Sequence, residues 1–289
     1  MSEKGGGSVN VRTITSKDIA AFRVHLELEE KSAATIEKYI RDVNRFYEFS
    51  KGNALTKKTV INYKNQMIAS GYAIRSINSV IASVNSLFGF LEWNDLKIKS
   101  MKVQKGAFVS ENAELTKAEY IRLINSAQKS GNERLEMLMQ TICATGIRVS
   151  ELKYVTVKAV MDGSVVVSCK AKSRVVFLVK ALRKKLLGYI KKHQITDGPV
   201  FITKNKTPID RTNIWREMKR ICKAAGVDAS KVYPHNLRHL FARMFYSVEK
   251  DIVKLADILG HSSINTTRIY TISTGREHLK KLEKMNLII

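Results

Sequence analysis

Residues 164–180 read SVVVSCKAKSRVVFLVK, and they differ in kind from what lies on either side. Two β-branched runs, VVV and VVFLV, flank a short polar segment. Branched apolar side chains fit a pleated surface, and a polar join between two such runs predicts a hairpin. The other patterned segments of the chain repeat with a helical period. The stretch therefore sets the fold class as mainly α, with one small antiparallel sheet in the second half.

Upstream of the hairpin, ELTKAEYIRLI (114–124) opens a helix, with Thr116 and Glu119 spaced as a capping box. Residues 133 to about 144 read as a buried helix, broken at Thr145-Gly146, and a further helix is expected from near Arg148. Residues 100–113, SMKVQKGAFVSENA, lose periodicity and read as a linker. Before the linker come four amphipathic patterns: Ser16 to about Glu29, residues 32–50, roughly Lys57 to Ser70, and a fourth carrying Ile77, Val80, Ile81, Val84, Leu87, Phe88 and Leu91. In the second pattern Ile36, Ile40, Val43 and Tyr47 form the apolar stripe. Four such helices with short joins predict a compact N-terminal domain over 14–99, behind a glycine-rich flexible tail at 1–13. After the hairpin the chain returns to helical patterns with polar breaks near ITDGP, TKNKTP and AGVDASKVYP, giving a second domain over 114–289. There is no internal repeat.

The 289 residues are enough for two domains with a sizeable core, and 44% hydrophobic with 26% charged residues is a soluble globular balance. No run of 18 apolar residues and no apolar stretch behind a basic start are present, so the expected location is cytoplasmic, with no membrane span. Cys143, Cys169 and Cys222 are far apart and form no C-x-x-C pair, which argues against a disulfide framework or a zinc ribbon. Charge points to a partner. Residues 1–105 hold 17 basic against 10 acidic side chains, and residues 106–289 hold 33 against 16. Both parts are positive, and double-stranded DNA touched by both is the simplest account. An anionic membrane would call for a basic amphipathic helix or a lipidation site, and neither is evident.

Three of the six histidines, His235, His239 and His261, fall within 27 residues. YPHNLRHLFARMFY reads as a helix opened by Pro234, with Leu237, Leu240, Phe241, Met244 and Phe245 as its buried face. His235 and Arg238, three apart, share a face near its start. His235 and His239 make an H-x-x-x-H pair, but Asn236 stands where a metalloprotease needs glutamate and no third ligand is evident, so no metal is expected. Arg148 follows a glycine turn, His261 follows Leu259-Gly260, Tyr270 falls in the next helix and Lys170 sits at the hairpin tip. Those residue types suit metal-free phosphoryl transfer on a diester. Arginine forks hold the non-bridging oxygens, histidines donate hydrogen bonds or move protons, tyrosine supplies an oxygen nucleophile, and lysine protonates the departing 5′ oxygen.

ATGIRVSEL, PHNLRHLFA and LGHSSINTTRIYT resemble the signature boxes of the tyrosine recombinases, the phage-integrase or Xer-type family, in family order and spacing. The four-helix part resembles that family's SAM-like core-binding domain, so the likeness covers about residues 14–285. It implies that Arg148 and Arg238 clamp the scissile phosphate, that His235 and His261 assist, and that Tyr270 attacks to give a 3′-phosphotyrosyl link and a free 5′ hydroxyl. It implies no cofactor and no metal, because the phosphotyrosyl bond conserves the energy of the diester. At the hairpin the sequence departs from the family's G-K-G-x-K-x-R: CKAKSR is one residue shorter. Lys170 aligns best with the catalytic lysine, and Lys172 is the alternative. Glu151 is expected to support structure, and His239 to be structural or supporting. The resemblance further implies that the end of the chain, REHLKKLEKMNLII, docks on a neighbouring protomer in a tetramer on two DNA sites.

The expected function is site-specific recombination in integration, excision, inversion or resolution, with an accessory or directionality factor as a further partner. The absence of an extra domain ahead of residue 14 favours a simpler Xer-like arrangement. Rival readings are a type IB topoisomerase, a DNA-binding regulator without catalysis, and a basic scaffold protein without site specificity.

Overall fold

The computed structural model describes residues 12–51, 54–102, 114–169, 172–270, 279 and 283–285. The chain divides into two compact units, Met1–Lys105 and Gly106–Ile289.

In the first unit, helices α1 (Ser16–Leu28), α2 (Ala33–Ser50), α3 (Lys57–Ala69) and α4 (Ile74–Phe90) follow the four periodic patterns. Side chains fix three of the starts. Thr15 and Asp18 exchange capping-box bonds, Ser32 accepts from the Thr35 amide, and Thr56 does the same for Thr59. Phe22, Leu26, Val43, Phe46, Leu87 and Phe88 are fully buried at the centre. On α2 the buried aromatic is Phe46, and Tyr47, expected on the stripe, is only half-buried. The stripe shifts because Asp42 is also buried, held by Lys38 at 2.9 Å and Ser83 at 3.1 Å. Two asparagines of α4 hold the departing chain through paired bonds, Asn85 on Ile98 and Asn78 on Met101. Arg12, assigned to the tail by sequence, is tied to Asp95 at 2.7 Å.

The second unit is built around α6 (Glu133–Thr145), which is buried on nearly all sides and packs against α5 (Lys117–Lys129), α8 (Lys180–Lys192), α9 (Arg211–Ala225) and α10 (Pro234–Glu249). The Thr116–Glu119 capping box opens α5 as its spacing predicts. The expected helix near Arg148 is a 3-10 helix, Val149–Tyr154, followed by α7 (Val157–Asp162). β1 (Ser164–Cys169) and β2 (Lys172–Phe177) pair antiparallel, with Val166 opposite Val175 and Cys169 opposite Lys172. Val165, Val167, Val176 and Leu178 point into the core, and Val166, Val175 and Phe177 face outward. Helices α11 (Ile252–Leu259) and α12 (Ile264–Thr267) follow, and a 3-10 turn, Arg268–Tyr270, comes directly after α12. Among the described residues no helix is long and apolar enough to cross a membrane.

Candidate active site

Of the helices of the second unit that end in glycine, two bring their ends to one arginine. α6 stops at Gly146 (φ +66°) and α11 at Gly260 (φ +64°), left-handed positions that favour glycine. Space demands glycine too: a Cβ on Gly146 would lie 2.5 Å from the Phe241 ring, and one on Gly260 2.7 Å from Arg174 Cδ. The unpaired carbonyls at these ends accept from Arg238 of α10. Its Nη1 donates to Gly146 O, and its Nη2 to Leu259 O at 2.7 Å and to His261 Nε2 at 3.0 Å. Arg238 is 1% exposed, and its Nε is buried without a hydrogen-bond partner. Burial and then the nearby Arg148 lower its guanidinium to about 10, so it stays charged at neutral pH. Backbone carbonyls orient such a cation without neutralising it, which leaves a fixed positive site that favours an anion.

Arg148 caps the 3-10 helix beside it. Its amide donates to Glu151 Oε2 at 2.8 Å, its Nη1 to Glu151 Oε1 at 2.8 Å, and its Nη2 to Gly260 O at 3.0 Å. Arg174 of β2 grips the same carboxylate from the other side with two bonds, at 3.0 and 2.8 Å, and its Nε donates to Ile258 O. Burial raises the Glu151 carboxyl, but the Arg174 and Arg148 hydrogen bonds outweigh it and hold the group at about 2. One buried carboxylate thus fixes two guanidiniums beside the glycine turn that carries His261.

His261 Nδ1 lies 2.9 Å from Thr267 Oγ1. Arginine can only donate, so Nε2 is the acceptor and Nδ1 carries the proton. Burial and then the surrounding arginines push this ring down to about 4. Burial together with Arg238, Arg211 and Arg148 also lowers His235. Tyr270 sits in a 3-10 turn, Arg268–Tyr270, not in a longer helix. Its ring stacks on His261 (centroids 5.9 Å apart, 19°) and meets His239 edge-on at 4.7 Å. It is 4% exposed, packed with Ala242, Leu255 and Leu259. Arg148, His235 and Arg238 line a cleft of about 460 Å³, together with Arg211, Trp215 and Lys219 of α9.

The family model described as "Phage integrase family" matches residues 113–276, and "Phage integrase, N-terminal SAM-like domain" matches residues 11–95. The chain belongs to the phage integrase family. Tyrosine recombinase XerA of Pyrococcus horikoshii is 30% identical to this integrase-family chain over 284 residues, covering 95% of each. XerA of Pyrococcus furiosus is 29% identical, covering 96% of each. The crystal structure of XerA recombinase aligns with a TM-score of 0.51 at 25% identity, over 94% of this chain and 99% of that one. A lambda integrase tetramer bound to a Holliday junction aligns at 0.73 with 17% identity, over 91% of this chain and 78% of that one, and shares the fold. Integrase-family membership makes the chain a tyrosine-type site-specific recombinase.

Of the residues singled out by sequence, Arg148, His235 and Arg238 share the cleft, His261 bonds to Arg238, and Tyr270 stacks on His261. Tyr270 is not among the residues lining the cleft. Lys170 lies outside the described residues, and the alternative Lys172 opens β2. His239, expected to be supporting, contacts both His235 and Tyr270. Arg174 was missed by sequence. Its signal was available: a charged residue in register with inward-facing Val176 and Leu178 on a strand needs a buried partner. Met244, expected on the buried face of α10, is 42% exposed, because Asn236, Arg238 and Ala242 take that face instead.

Proposed function

We propose that this chain cleaves and rejoins duplex DNA at specific sites through a 3′-phosphotyrosyl intermediate on Tyr270. The observation that carries this reading is the buried, uncompensated Arg238 beside Arg148 at one cleft, with His261 bonded to Arg238 and stacked on Tyr270. In the proposed step the Tyr270 oxygen attacks the scissile phosphorus and the bond from phosphorus to the 5′ oxygen breaks. Arg148 and Arg238 hold the non-bridging oxygens, where negative charge grows. The tyrosine proton passes to a neutral imidazole, His235 or, once its Nε2 has left Arg238, His261, and the 5′ oxygen takes a proton from Lys170. Reversal by an incoming 5′ hydroxyl reseals the strand, with no net change in the number of diester bonds. Because Tyr270 packs against Ala242, Leu255 and Leu259, attack requires its ring to leave that packing. Four protomers on two DNA sites are the assembly that exchange of strands requires.

Tyr270→Phe keeps the ring and removes the nucleophile. On a nicked suicide duplex selected from a random pool by the full chain, it should bind normally and give no covalent adduct. An adduct surviving in that variant would refute the assignment. Exchange of strands between two marked sites, as opposed to relaxation of a supercoil alone, distinguishes recombination from topoisomerase action.

A further inference from the structure

The cleft has a wall that the cleavage chemistry does not use. Along α9, Arg211, Trp215 and Lys219 stand four residues apart, so they form one stripe, and all three line the space that holds Arg148, His235 and Arg238. Arg211 is close enough for its charge to lower the His235 imidazole. Trp215 is 47% exposed, although the neighbouring positions Ile214 and Met218 of the same helix are fully buried. Its ring is not loose, since Lys219 Nζ lies 5.2 Å from the ring centre and also donates to Ala229 O. An indole held by a cation, with a second cation one turn away and a phosphate-type site beside it, matches a nucleic-acid strand: charged groups meet phosphates and the apolar face meets what lies between them.

We infer that Trp215 is a positioning residue that packs on the apolar surface of a nucleotide flanking the scissile phosphate, with Arg211 and Lys219 on the adjacent phosphates. The contacted surface is a deoxyribose or the methyl group of a thymine. This rests on the proposed DNA-cleaving function and assigns it a contact outside the reacting groups. An apolar contact releases no counterions, whereas each lysine–phosphate contact does. Trp215→Ala should therefore lower affinity without changing the salt dependence, and Lys219→Ala should lower the slope of log K against log salt by about 1.

The test uses the chain's two tryptophans, Trp93 and Trp215. In full-length protein carrying Trp93→Phe, indole emission reports Trp215 alone. The probe is a dye-labelled duplex enriched from a random pool by the unmodified chain, with dye anisotropy following binding independently. Binding accompanied by quenched emission and by protection from acrylamide is expected. Trp215→Ala should weaken binding roughly 5- to 150-fold, Trp215→Phe should recover most of that loss, and the salt slope should be unchanged in both. Replacing thymines near the cleavage point by deoxyuridine separates the sources: lost affinity assigns a methyl contact, and unchanged affinity a sugar contact. Anisotropy showing full binding while emission and acrylamide access stay unchanged would overturn the inference and leave the cleavage reading intact. A duplex that does not bind at all would overturn both.

Discussion

Glu151→Gln exchanges a carboxylate for an isosteric amide at the point where two guanidiniums converge. Glu151 is 5% exposed and accepts two bonds from Arg174 and two from Arg148. A carboxyl held at about 2 against its ordinary 4.5 contributes about 3 kcal/mol of stability at neutral pH. Removing one partner from a buried ion pair independently costs about 3–5 kcal/mol, so the two routes agree. The amide adds donors that face guanidinium donors, and it leaves Arg148 and Arg174 uncompensated close to Arg238. Urea unfolding of the second unit should show a loss of about 3 kcal/mol, and its melting temperature should fall by roughly 6–12 °C. The folded pKa lies below the unfolded one, so the Glu151 contribution is complete above pH 4.5 and is lost as pH falls toward 2. The gap between parent and variant should stay constant from pH 8 to 6 and narrow below 4.5. Adduct formation should slow by about 100-fold, because Arg148 loses one of its two bonds to residue 151 and the carboxylate charge that holds its guanidinium in place. A loss below 1 kcal/mol, or a gap that does not narrow on acidification, would refute the reasoning.

Gly260→Ala places a Cβ at φ +64° and 2.7 Å from Arg174 Cδ. The backbone term alone is about 1–2 kcal/mol, and the displaced Arg174 stem adds to it, so urea unfolding should show more than that loss while adduct formation drops with it. His261, lowered to about 4, is neutral through physiological pH. Adduct formation should therefore show no inflection from this residue between pH 8 and about 5.5, and should fall near 4. The same shift makes the unfolded chain take up a proton first as pH drops from 6.5 to 4. Stability should decline across that window, and His261→Gln should flatten the decline; an inflection in rate near 6.5 that His261→Gln abolishes would contradict the neutral assignment.

Much of this site was legible because its residues sit where helices stop. Glycines at 146 and 260 mark two ends, Pro234 marks a start, and Arg148, His261 and His235 lie within two residues of those marks. Helix ends leave backbone groups unpaired, and a residue such as Arg238 that can satisfy two of them at once is drawn there whatever its distance in sequence. Arg174 was less legible because its partner Glu151 lies 23 residues away and its own neighbours are strand-forming valines. Periodicity reports which side of an element is apolar, so it misplaces a face that buries polar groups. That is why Tyr47 and Met244 were expected inside, where the structure gives up those positions to accommodate buried Asp42 and Arg238.

The same reasoning explains why Tyr270 could be picked out by sequence as a nucleophile and yet stand buried. Its neighbours in the chain, SSINTT, are small and mostly polar and read as the start of the helix that carries it. In three dimensions its 3-10 turn lies over Ala242, Leu255 and Leu259, and Thr267, also fully buried, reaches back to His261. The hydroxyl of Thr267 fixes the imidazole, the imidazole bonds to Arg238, and Tyr270 stacks on that imidazole. The position of the tyrosine is therefore tied to the arginine through one neutral histidine. An anion that engages Arg238 competes with the His261 Nε2 for its guanidinium donors. Loosening that bond would free the ring on which Tyr270 stacks, and this is how the proposed phosphate site and the proposed nucleophile would be coupled through His261.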